Sequence, residues 1–171
     1  MNEAYENIME RRSIRKYEEK QVPDELLDKV LEAGIYAPSA MNRQKTYLVA
    51  VRDKETRDML SKMNAKVMDS ENDPFYGAPC VIVVFAEDMP SNIEDGALAL
   101  GNLMNAAKAL GLGSCWIHRA KQTFETPEGK ELLRKWGLPD NLVGIGNCIL
   151  GYPAEEPQAA PRKDGRIVKI G

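Results

Sequence analysis

Seven consecutive apolar residues, Cys80 to Ala86, run through the middle of the chain without a charge or a turn former among them. The continuous core of that run, Val81 to Phe85, predicts a central strand covered on both faces, because a half-exposed strand would alternate apolar with polar residues. Such a strand needs apolar helix faces on either side of it, and the sequence supplies them. A short helix is expected over Tyr5 to Arg11. A better one opens at Pro23-Asp24-Glu25, with proline in the first turn and two acids at the positive end of the helix dipole. Leu26, Leu27, Val30, Leu31 and Ile35 give it one apolar stripe, and Pro38 stops it by forcing Ala37 out of helical geometry. Lys54 to Val67 is expected to be helical, with Met59, Leu60, Met63 and Val67 on one side. Asn92 to Leu110 reads as the core helix, its Gly96, Gly101, Ala106 and Ala109 allowing close packing. A last helix runs from Pro127 to Trp136 and ends at Gly137. Tyr47 to Val51, Ser114 to His118 and Val143 to Leu150 supply further strands.

The 171 residues, 43% of them hydrophobic, fit a single domain spanning residues 1–171. Residues 153–171 read as an extended C-terminal arm, in which alternating Ile167, Val168 and Ile170 could add a strand to the sheet edge of a partner subunit. The balance of 26 acids against 23 bases argues against a nucleic-acid footprint. The acidic, polar start lacks the basic and apolar parts of a signal peptide, and no apolar stretch approaches the roughly 20 residues that span a bilayer. The expectation is a cytoplasmic protein that handles small molecules. Cys80, Cys115 and Cys148 lie far apart in apolar runs and read as buried thiols. With one histidine and no Cys-x-x-Cys, no metal site is expected.

Against the net charge of −3, Arg11-Arg12-Ser13-Ile14-Arg15-Lys16 packs four cations and a hydroxyl into six residues. Guanidinium groups match phosphate with paired, charge-assisted donors, so this run suggests a phosphate monoester site, although composition alone equally allows a solvated basic turn. A second cluster, Ala37-Pro38-Ser39-Ala40-Met41-Asn42-Arg43-Gln44, carries a hydroxyl and two carboxamides. Carboxamides both donate and accept, which suits the imide and carbonyl edge of a flavin; a helix-terminating loop with Asn42 and Gln44 in solvent is the plainer alternative.

Taken in order, Arg-Arg-Ser-x-Arg, Ala-Pro-Ser-x-x-Asn-x-Gln, Asn64-Ala65-Lys66, Gly77-Ala78-Pro79, Gly111-Leu112-Gly113-Ser114-Cys115-Trp116, Gly151-Tyr152-Pro153 and Pro161-Arg162-Lys163 resemble the FMN-dependent nitroreductase family over nearly the whole chain. The resemblance implies an α+β fold with a central mixed, largely antiparallel sheet flanked by helices. It also implies a homodimer that exchanges C-terminal arms and holds FMN at the subunit interface. Carried over by residue, it implies that Arg11, Arg12, Ser13 and Arg15 hold the FMN phosphate and ribityl chain, with Arg162 and Lys163 arriving from the arm. Pro38, Ser39, Asn42 and Gln44 correspond to the loop that the second subunit lays against the isoalloxazine. Asn64 and Lys66 correspond to its pyrimidine edge, where a cation would stabilise negative charge. Trp116, Ile117, His118 and Arg119 are expected to line the other ring face, a backbone N–H among them reaching N5.

The implied activity takes a hydride from NAD(P)H and passes it through flavin N5 to a small organic acceptor such as a nitroaromatic or quinone, by ping-pong kinetics and with no catalytic side chain. Reductive dehalogenation by the same cofactor, and a non-catalytic FMN module that senses redox state or delivers cofactor, are the alternatives. A phosphate-binding protein without flavin is the remaining alternative, favoured only if Asn42, Gln44 and Asn64 prove remote from the basic run. The chain departs from the family at Lys45-Thr46, where Pro-Trp is common; an aromatic wall is missing and Lys45 is expected to point to solvent. His118 is expected to pack on Trp116 rather than act as an acid. Gly111 and Gly113 read as a helix end, not a dinucleotide fingerprint.

Overall fold

The computed structural model describes residues 2–171. Six helices, α1 (Glu3–Glu10), α2 (Asp24–Ile35), α3 (Lys54–Lys66), α4 (Asn92–Ala109), α5 (Ala120–Glu125) and α6 (Pro127–Lys135), surround four strands: β1 (Thr46–Val51), β2 (Cys80–Glu87), β3 (Gly113–Ile117) and β4 (Leu142–Gly151). Local chemistry sets several of the helix starts. The Asn2 side chain accepts the Ala4 and Tyr5 N–H groups, Asp53 accepts that of Thr56, and Thr126 accepts that of Gly129 just after Pro127 enters α6. At the far end of α4, Gly111 takes a left-handed φ of 74° that lets the Leu112 N–H turn back to the Ala107 carbonyl, 2.8 Å away.

The sheet order is β1-β2-β4-β3, and all four strands pair antiparallel. The parallel component of the expected mixed sheet is a single bridge, Ser13 to Ser114. β2 sits between β1 and β4, which is why Cys80 to Ala86 has no exposed residue. Its alternate side chains enter two cores. Val81, Val83 and Phe85 meet Leu60 of α3, Phe124 of α5 and Leu132 and Leu133 of α6. Cys80, Ile82 and Val84 meet Leu27 and Val30 of α2 and Leu100 and Leu103 of α4.

Two sequence expectations change at this level. The buried stripe of α3 is Arg57, Leu60, Ser61, Asn64 and Ala65, rotated from the expected one, so that Met59 is exposed. Close packing of α4 rests on Gly96, where a Cβ would come within 2.5 Å of Ile145 on β4, whereas a Cβ at Gly101 would meet nothing. The arm forms no strand within the chain, and Ile167, Val168 and Ile170 are exposed. The three thiols are buried as expected, and burial pushes Cys80 up to about 12 and Cys148 upward as well. Among the described residues no helix is long and apolar enough to cross a membrane.

Buried Arg57 organises the loop before β2. It donates to the Ala78 carbonyl and to Asp73, which also accepts from Ser61 and from the Phe75 and Gly77 N–H groups. Burial alone would raise the Asp73 pKa; the hydrogen bonds from Ser61, Arg57 and the two amides outweigh it and hold the carboxyl below its ordinary value. A depressed carboxylate contributes stability above the unfolded pKa and loses it as pH falls through the folded one. The melting-temperature gap between wild type and Asp73→Asn is therefore expected to be open at about pH 6 and to narrow below about pH 4. A gap that stays constant down to about pH 3 would rule this out.

Candidate functional site

The basic run leaves α1 and lies along the outer edge of β3. The Ile14 N–H donates to the Ser114 carbonyl at 3.0 Å, Tyr17 bridges to Pro153, and the Ala154 N–H donates to the Lys16 carbonyl at 2.9 Å. Ile14 anchors the run by burying its side chain against Gly113, where any Cβ would sit 2.9 Å from it. The arginines then separate by role. Arg12 turns back on α1, its Nη1 donating to the Met9 and Arg11 carbonyls at 2.7 and 2.8 Å, and so caps a helix end. Exposed Arg15 sits 5.9 Å from the Tyr76 ring centroid, while its backbone N–H donates to Glu155 of the arm.

Arg11 is different: its Nη1 is buried and has no partner. A guanidinium N–H withdrawn from water without an acceptor is costly, so this atom calls for an anionic oxygen. It lines a groove of about 550 Å³ together with Arg12, Lys108, Ser114, Glu155 and Gln158. Lys108 is already 3.5 Å from Glu10, which leaves Arg11 as the guanidinium with an unused buried donor. Lys108 and Ser114 had not been expected here. Their sequence signal is weak, since each becomes part of the groove only when β3 pairs with the run around Ser13.

At the other end of β3, half-exposed Trp116 lies over Gly146, where a Cβ would come within 2.4 Å of its Nε1. The His118 ring packs beside it at 5.3 Å between centroids, as expected. Arg119 has a left-handed φ of 81° and opens α5, a six-residue helix the sequence did not announce. Strand alternation turns the Ile117 side chain into the core, so it offers an outside ligand only its backbone.

The Asn64 carboxamide is fully buried within the chain, with Oδ1 accepting from Thr123 at 3.4 Å and from Asn147 at 3.3 Å. Asn147 also donates to the Ile117 carbonyl at 3.4 Å, so this network braces the end of β3 from beneath. Lys66 is exposed, 3.9 Å from Glu128.

The loop carrying Pro38, Ser39, Asn42 and Gln44 lies beside β1, at the opposite edge of the sheet. Three strand spacings, about 14 Å, separate β1 from β3. One chain thus brings the basic run and Trp116 to Arg119 to one edge and keeps the carboxamide loop at the other. Met41, Asn42 and Gln44 all have φ of 53°, and the loop is tied by the Gln44 N–H to Ser39 Oγ at 2.9 Å and by the Ala40 N–H to buried Asp95 at 3.0 Å. Lys45 does not point freely to solvent: its Nζ is 2.8 Å from Glu87, brought opposite by the pairing of Thr46 with Ala86. Arg162 and Lys163 are exposed on the arm.

Compared with known proteins, residues 8–152 match the model described as Nitroreductase family. A protein of Archaeoglobus fulgidus that carries the provisional name NADH dehydrogenase/NAD(P)H nitroreductase is 36% identical over 91% of this chain and 88% of its own. An FMN reductase [NAD(P)H] of Bacillus subtilis is 27% identical over 95% of this chain and 70% of its own. Among solved structures, a nitroreductase with bound FMN from Bacteroides fragilis is 32% identical and covers all of both chains with a TM-score of 0.90.

Proposed function

We propose, because this chain belongs to the nitroreductase family, that it is an FMN-dependent NAD(P)H oxidoreductase acting on a small organic acceptor. The observation that carries this reading is the buried, unpartnered Nη1 of Arg11 at the head of a groove on the β3 edge. A phosphate oxygen supplies the acceptor that this nitrogen lacks, and a structural neighbour of full-length similarity holds FMN. FMN, when bound, supplies hydride acceptance and donation at N5.

The chain's own residues then have separable tasks. Arg11 and Ser13 bind the phosphate, assisted by Arg162 and Lys163 from an arm. Arg15 holds the ribityl side, steadied by Tyr76. Trp116 and His118 form an aromatic wall at the ring, and the left-handed turn at Arg119 orients the backbone N–H groups after Ile117. Asn64 supports that turn indirectly, through Asn147. Because β1, which the carboxamide loop enters, and β3 stand three strand spacings apart in one chain, about 14 Å, the loop that completes each site comes from a second subunit, and the protein works as a homodimer. No side chain of the site is required to transfer a proton, and nitroaromatics and quinones suit an open ring face.

Purified protein freed of small molecules is expected to show flavin absorption that NADH or NADPH bleaches under anaerobic conditions and that a nitroaromatic or quinone restores. Flavin that binds but is bleached by neither nucleotide would favour the non-catalytic module; protein that fails to bind added FMN would overturn the reading.

A further inference from the structure

We propose that Asp95 is a positioning residue that holds the Ser39–Gln44 loop in its ligand-facing conformation, an inference that rests on the flavin reading above. Asp95 lies in the first turn of α4 and is 4% exposed, and among the described residues no cation pairs with it. An ionised carboxylate in such a place needs compensation from hydrogen bonds and dipoles. The positive end of α4 supplies one part. The rest comes from Ser91 Oγ, 3.5 Å from Oδ2, and from the Ala40 N–H, which donates to Oδ1 at 3.0 Å across 55 residues of sequence.

Ala40 is where the loop turns. The Asn42 N–H donates to the Ser39 carbonyl at 2.9 Å and the Arg43 N–H to the Ala40 carbonyl at 3.2 Å, and then Ser39 Oγ accepts the Gln44 N–H. Between these ties Met41, Asn42 and Gln44 all stand at φ 53°, a region that side chains other than glycine rarely adopt and that persists only where surrounding bonds over-determine it. The bond from Ala40 to Asp95 is the one tie in this set that reaches a core helix; the others run within the loop. The conformation has an outward product. Gln44 Nε2 donates to Asn42 Oδ1 at 3.0 Å, so two exposed carboxamides are paired and presented together. A charged acceptor holds an N–H about twice as strongly as a neutral one, so the carboxylate, rather than any small polar residue, suits the task.

The test compares wild type, Asp95→Ala and Asp95→Asn by amide hydrogen exchange of the loop, melting temperature and FMN titration. Exchange of Ala40, Asn42 and Gln44 is expected to rise about tenfold in Asp95→Ala, with β1 and the middle of α2 unchanged, and FMN to bind about tenfold more weakly. Asp95→Asn keeps the acceptor oxygen and the shape of the site; it is expected to remain folded and to shift both readouts only about two- to threefold. Unaltered loop exchange in both variants would overturn the proposal, as would raised exchange with undiminished FMN affinity. A fall in melting temperature with no exchange change confined to the loop would reduce Asp95 to a structural cap and also overturn it. Exchange is read with or without flavin, so a wild-type protein that binds no FMN would defeat the functional reading while exchange still decides whether Asp95 holds the loop.

Discussion

Arg11→Ala is expected to weaken FMN binding about ten- to a hundredfold, the range that corresponds to losing one or two charge-assisted hydrogen bonds. Arg12→Ala, at the adjacent position of the same basic run, is expected to do far less. The difference follows from where the two guanidinium groups are committed: Arg12 already donates to the Met9 and Arg11 carbonyls, while Nη1 of Arg11 is buried with nothing to bond. Fluorescence titration of apoprotein with FMN measures both variants. Equal losses would mean that the run acts as a diffuse positive patch, and an unaffected Arg11→Ala would remove the phosphate from this groove.

The largest effect on folding is expected from Phe85→Ala. Phe85 is fully buried on the central strand, and its ring meets that of Phe124 edge-on at 4.7 Å between centroids. Truncation removes that contact and leaves a cavity between β2 and α5. A loss of about 3–5 kcal/mol is expected, which for a chain of this size lowers the melting temperature by about 6–20 °C. Thermal unfolding followed by circular dichroism at one fixed protein concentration provides the measurement. A shift of only a degree or two would show that α5 collapses onto the vacated space.

The central strand was legible because its signal is local: seven apolar residues admit few placements, and the structure puts them between two other strands. The basic run stood out for a similar reason, since charge density against an acidic background is also local. What escaped depends on relations between distant residues. α5 spans six residues, less than two turns, so no periodicity could develop. Asn64 stands one turn after Leu60 on the buried side of α3, a spacing that argues for enclosure, but the expected stripe through Met59 and Met63 was rotated away from it. Lys45 looked free because Glu87 is 42 residues away in sequence and becomes its neighbour only through strand register. Nothing in the sequence singles out Asp95 from other acids of a first helical turn; its link to Ala40 exists only once α4 packs beside the loop.

The closure of the basic run against the last strand also has a consequence in time. Tyr17 bridges to Pro153, and Lys16 accepts from Ala154, so residues 16–17 wait for residues 153–154. During synthesis the early helices can collapse, but the strand edge that seats Ile14 does not exist until β3 has emerged and paired with β4. The basic run is therefore seated by a clasp between segments far apart in sequence, and a growing polypeptide completes that seat only after residues 153–154 have emerged.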